Sequence, residues 1–177
     1  MADSSFTSCR EVIFFYQRSR GNTVYMLQTD IGKIHFYCLM SSSRIGGCGG
    51  REWTLVMKID GRKRTFHYDS SSWTNMADFN RTRGKTGFDH RETKLPTYWN
   101  TPFSKICLGM KIGQQIDLIV INRPANSLYS LIADGHCRSP SLGQNTWKSL
   151  IGSHASLQTN CNKGCLTLCW QPWWLPA

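Results

Sequence analysis

Eight cysteines in 177 residues constrain this chain more than any other feature of it. Cys9, Cys38, Cys48, Cys107, Cys137, Cys161, Cys165 and Cys169 exceed what a cytosolic chain of this size carries without metal. An oxidising compartment is their simplest setting, and disulfides their simplest use. A metal site is the competing explanation, with Cys161, Cys165 and Cys169 at intervals of four as its best case. Zinc sites use closer pairs, and the stretches around Gly164 and Pro172 argue against the helix that would align the three thiols. No metal is expected.

The length allows one domain with a real core. No window approaches the run of about 18 apolar residues that a membrane-spanning helix needs, so no span is expected. Residues 1–7, MADSSFT, lack a basic start followed by an apolar run, so no export signal is visible in the chain. The sequon Asn80-Arg81-Thr82 agrees with a secreted context and makes Asn80 a candidate glycosylation site.

The formal net charge is +10. Arg62, Lys63, Arg64, Arg81, Arg83, Lys85, Arg91 and Lys94 hold much of it and read as solvated turn and loop residues. Aromatics do not alternate with them in a base-stacking pattern, so nucleic acid is not expected as a partner. Acidic sugars or mineral surfaces are the sharper alternative for so basic a chain.

Residues 11–18 form an apolar block that suits a short helix or a buried strand, and periodicity does not decide between them. Residues 24–27 and 34–39 read as strands of a hairpin, joined by a polar stretch containing Gly32. The glycine-rich residues 45–50 are followed by no Lys-Ser or Lys-Thr pair, which speaks against a phosphate-binding loop. Residues 53–59 predict one strand, and Asp60-Gly61 predicts the turn of a second hairpin returning through residues 65–68. Residues 69–102 suggest ordered loops pinned by Trp73, Phe79, Phe88, Tyr98 and Trp99. Regular structure resumes at residues 116–121 and 128–133, and Asn145 is positioned to cap a short helix.

The string from Gly49 and Gly50 through Trp53 and Thr54 to Gly61, GGREWTLVMKIDG, resembles the signature that opens the main sheet of fibrinogen-like domains. Ser8-Cys9, the strand region at residues 21–27 and Phe36-Tyr37-Cys38-Leu39-Met40 are similar to the segments preceding it in that family, with Leu39 where aspartate is usual. Residues 66–70, 87–89, 92–96 and 106–110 look most like the branch found among coral skeletal organic matrix proteins, and residues 130–135 and 147–150 continue the likeness. Intelectin-type proteins are more distantly similar. The resemblance runs from about Ser8 to Asn162.

The resemblance implies a Cys9–Cys38 disulfide, contributing roughly 3–4 kcal/mol on a chain-entropy estimate. It also implies an extracellular, disulfide-bonded recognition or matrix module with glycans or extracellular matrix proteins as partners, and it leaves self-association open. The family's calcium ligands and binding pocket lie in its C-terminal part, and residues 162–177 do not resemble it. The expectation is therefore a divergent tail, no calcium cofactor and an incomplete sheet with an open edge, so a shifted frame or alternative exon and a non-binding structural fragment form the second reading. The fold class expected is α+β: an N-terminal disulfide-tied subdomain over residues 1–48, a truncated central antiparallel sheet with short helices and long loops over 49–161, and the tail over 162–177.

An enzyme is not expected. His35, His67, His90, His136 and His154 form no catalytic spacing with nearby acids. His67 with Asp69, two apart on a predicted strand, and His90 beside Asp89 and Glu92 read as ordinary polar positions.

Overall fold

A computed structural model describes residues 6–16, 21–40, 46–49, 52–67, 69–136, 142 and 144–150. Gly50, Cys137, His154, Cys161, Cys165, Cys169 and residues 162–177 lie outside the described residues. The fold is α+β, with short helices and antiparallel sheets.

The apolar block is a helix, α1 (Cys9–Tyr16). Cys9 and Val12 are buried on one face while Phe14 and Phe15 are exposed, which is the three-to-four residue spacing of a helix packed on one side. The hairpin expected next is present, as β1 (Thr23–Thr29) and β2 (Gly32–Leu39), with Leu27 opposite Ile34 and Tyr25 opposite Phe36. Its strands run further into the polar stretch than the sequence suggests, leaving Asp30 and Ile31 as the turn. Ile34, Phe36 and Cys38 alternate inward along β2 and pack with Cys9, Val12, Leu27, Met40 and Leu95 as the first core.

The strand predicted over residues 53–59 is divided between two sheets. β3 (Trp53–Thr54) adds to β2, and β4 (Met57–Lys58) pairs with β5 (Thr93–Lys94). Leu55 and Val56 make the crossing. The Leu55 N–H donates to Tyr37 O at 3.3 Å, on the first sheet's side, while the Val56 carbonyl accepts from Leu95 N–H at 3.0 Å.

Among the described residues the second predicted hairpin does not form; Tyr68 lies outside them. After β4 the Asp60 carboxylate, itself buried, accepts from the Arg62 backbone N–H at 3.2 Å, and the Asp60 carbonyl accepts from Lys63 N–H at 2.9 Å. Further turns at Arg64 to His67 and His67 to Ser70 continue the coil. Phe66 is thereby buried against Trp73 and Phe79 in edge-on contacts instead of standing in a strand. As expected, residues 69–102 are ordered loops pinned by aromatics, with 3-10 turns at Ser71–Trp73 and Arg81–Lys85 and a short α2 (Thr97–Asn100).

A long hairpin of β6 (Phe103–Ile112) and β7 (Gln115–Ala125) comes next, where only part of the second strand is evident in the sequence. Gly113 takes φ +60 at the first position of its two-residue turn, as a glycine-first hairpin turn requires. The register shifts between Phe103 and Lys105, opposite Pro124, which has no N–H to give the ladder. α3 (Leu128–Ile132) starts with a reciprocal Ser127–Ser130 capping box, and α4 (Gln144–Ser149) contains Asn145 inside the helix and not at its cap. Leu150 and Ile121 anchor the second core with Ile106, Leu108, Ile119 and Leu142.

Candidate functional site

The residues that carry the sequence signature meet around the disulfides. Cys9 and Cys38 are joined, with Cα atoms 5.8 Å apart. Thr54 stands opposite Cys38 in the β2–β3 ladder, and its hydroxyl accepts the Cys9 backbone N–H at 3.0 Å. Trp53 stands opposite Leu39 and donates its indole N–H to the Cys48 carbonyl at 2.8 Å. Cys48 is bonded in turn to Cys107 of β6, with Cα atoms 5.9 Å apart. Gly49 is a half-buried turn residue following Cys48. Each of these described side chains is used in holding the fold together.

Chemistry-bearing side chains collect elsewhere, beneath a basic surface around β4 and β5. Lys94 is the correction among the cationic residues: it is wholly buried, not solvated. Its Nζ donates to Ser72 O at 2.6 Å, Asn75 O at 2.7 Å and Asn75 Oδ1 at 2.8 Å, and it lies 4.5 Å from the centre of the Tyr98 ring. Burial pushes the ammonium down to about 8. Its acceptors are neutral carbonyl oxygens, and with the ring face they keep it a cation at neutral pH. Tyr98, also wholly buried, donates its hydroxyl to Trp73 O at 2.8 Å, and burial raises its pKa.

Lys58 is the second buried lysine. It donates to Asp89 Oδ1 at 2.6 Å and Thr86 Oγ1 at 2.8 Å. Burial lowers its pKa against the raising effect of Asp89, and Arg91 and Arg83 lower it further. Burial works against ionisation of Asp89, but hydrogen bonds from Lys58, Thr86 and the Arg91 backbone outweigh it and bring the carboxyl below its usual range. Asp60 is buried under Arg62, whose Nε and Nη2 grip both carboxylate oxygens at 3.0 and 3.1 Å. That hydrogen bonding holds Asp60 at about 2. Glu92, also buried, accepts from Thr65 Oγ1 at 2.8 Å and from the Asp60 N–H at 3.3 Å.

His67 and Asp69 are in contact, Nδ1 to Oδ1 at 2.6 Å, but within consecutive turns and not along a strand. His90 is exposed, while Asp89 and Glu92 face other partners. Asn80 is exposed at φ 47, a left-handed conformation that asparagine tolerates, at the start of the 3-10 turn that contains Thr82. Among the described residues no group of three or more His, Cys, Asp or Glu side chains could hold a metal ion, and no helix is long and apolar enough to cross a membrane.

Neither the burial of Lys94 nor the Cys48–Cys107 pairing is foreseen from the sequence. The alternation in residues 93–98, TKLPTY, is too short to reveal a buried lysine, although a lysine between Thr93 and Leu95 in a segment rich in apolar and small residues is the one available hint. No protein-family model matches the chain, and no curated protein matches it.

Proposed function

We propose that the chain is a secreted recognition or matrix module of the fibrinogen-like kind, with glycans or extracellular matrix proteins as its partners. The observation that carries this reading is the meeting of Cys9, Cys38, Trp53 and Thr54 in one place, with Trp53 also bonded to the second disulfide's Cys48. Residues that resemble a family signature across 45 positions of chain support one another physically, as a shared architecture would require. Two disulfides suit an oxidising compartment. Such a module acts through its surface, and its buried polar groups serve to hold loops in place.

The full chain, produced through a secretory pathway with its disulfides formed, is expected to bind at least one class of glycan on an array or one immobilised matrix protein. Blank results on both would reject the reading. In the same preparation, a mass increase removed by Asn80→Gln is the expected sign of glycan on Asn80.

A further inference from the structure

Cationic side chains from separate parts of the chain converge on the loop of residues 86–91. Lys58 of β4 reaches Asp89 and Thr86 from below. Lys111, near the tip of β6, donates to the Phe88 carbonyl at 3.3 Å. Arg91 leaves the loop itself, its backbone N–H bonded to Asp89 Oδ1 at 3.0 Å. Arg83 lies close enough for its charge, with that of Arg91, to bear on the Lys58 ammonium.

Glycines set this arrangement. Gly84 is buried, and a Cβ there would come within 2.6 Å of the Leu95 side chain, so the 3-10 turn lies flat on Leu95 with Arg83 and Lys85 exposed on either side of the glycine. At Gly109 a Cβ would come within 2.6 Å of the Phe88 ring, so the β6–β7 hairpin lies directly against the loop and brings Lys111 to it.

The loop's one carboxylate is fully engaged: Asp89 Oδ1 takes Lys58 and the Arg91 N–H, and Oδ2 takes the Thr86 hydroxyl. Neighbouring Asp78 is committed to Arg81. Among the described residues no carboxylate lies within ion-pair distance of Arg83, Lys85, Arg91 or Lys111, and all four are exposed. Unmatched guanidinium and ammonium groups held on and around a pinned loop attract a repeating anion, and guanidinium groups match oxyanions with paired hydrogen bonds. Phe88, the loop's large aromatic residue, packs against Gly109 with 37% of its surface exposed, and a single ring is not the series of stacking platforms that single-stranded nucleic acid uses.

We propose that Arg83, Lys85, Arg91 and Lys111 form a binding face for a sulfated polysaccharide, with Lys58 and Asp89 as positioning residues that hold the loop. This inference rests on the reading of the chain as a secreted recognition module and names its ligand class.

The test is titration of the full, disulfide-bonded chain with a sulfated oligosaccharide and with the same oligosaccharide desulfated, over a range of salt. The double variant Arg83→Gln/Arg91→Gln is compared with Arg10→Gln/Lys148→Gln, which removes the same charge from exposed positions elsewhere. The face variant is expected to bind about tenfold or more weakly with a shallower salt dependence, and the control to stay within about twofold. Equal losses in the two variants, equal binding of the desulfated chain, tighter binding of single-stranded nucleic acid, or no binding by the wild type would each overturn the proposal. Unchanged binding of both variants to a neutral glycan or matrix protein, together with any of those outcomes, would reject this face and leave the module reading standing.

Discussion

The hydroxyl of Thr54 accepts the backbone N–H of Cys9, 45 residues earlier, at 3.0 Å. Cys9 is the first residue of α1, where a helix leaves its N–H groups without partners inside the helix. Thr54 therefore acts as a cap supplied from another element. It holds the helix at the end where the Cys9–Cys38 disulfide also fastens it.

Thr54→Val keeps the shape and removes the acceptor. It is expected to lower stability by about 1–2 kcal/mol, while Thr54→Ser retains most of it. Urea unfolding of the two variants compares them directly. Loss in Thr54→Ser with none in Thr54→Val would show that the methyl group's packing matters and the cap does not.

Lys94→Met preserves much of the side chain's length but leaves the carbonyls of Ser72 and Asn75 without their donor. The expected cost is about 2–4 kcal/mol, read from denaturant midpoints. The pH dependence gives a second signature. The folded-state value of about 8 lies below the 10.5 of a free lysine, so between those values the unfolded chain binds more protons and stability rises with pH. Below about 8 Lys94 is a cation in both states and adds no slope. The difference in stability between wild type and Lys94→Met is therefore expected to change between pH 8 and 10.5, and to be flat from pH 6 to 7.5.

Asp60 titrates in the opposite sense. Its folded value of about 2 lies below the ordinary 3.8, so its contribution is present above about pH 4 and is lost as pH falls through 2. Asp60→Asn should flatten that part of the acid unfolding curve and lower stability at neutral pH. An unchanged acid limb in the variant would show that Arg62 does not hold the carboxylate in solution.

The Cys48–Cys107 bond closes a longer loop, with a sequence separation of 59 against 29 for Cys9–Cys38. Chain entropy then assigns it about 4 kcal/mol, slightly more than the N-terminal bond. Paired Cys→Ser replacements at each bridge, compared by thermal unfolding, should rank in that order. Peptide mapping without reductant should recover both pairs.

The β1–β2 hairpin is legible in the sequence because Leu27, Ile34, Phe36 and Cys38 alternate over a length that only a half-buried strand pair satisfies. The run at residues 53–59 looks equally regular yet serves two sheets, since its strand propensity carries no information about which partner each residue will meet. The Asp60-Gly61 pair signals a turn correctly. Beyond that turn the chain stays in coil, because Phe66 gains more by burial against Trp73 and Phe79 than by pairing with β4. Strand β6 is obscured because its faces are unevenly buried and no strict alternation survives.

The sequence by itself determined the α+β class, the first hairpin, the use of cysteines as disulfides and, through resemblance, the Cys9–Cys38 pair. Those rest on local pattern, composition or likeness. Only the tertiary structure decided that Cys48 reaches Cys107, that Lys94 is an internal cation while Arg83 and Arg91 remain outside, and that Lys111 arrives at the loop of residues 86–91. The physical reason is common to all of these. A charge or thiol is chemically the same wherever it stands in a chain, and its role is set by which distant carbonyl, carboxylate or sulfur the packing brings within hydrogen-bonding or bonding distance.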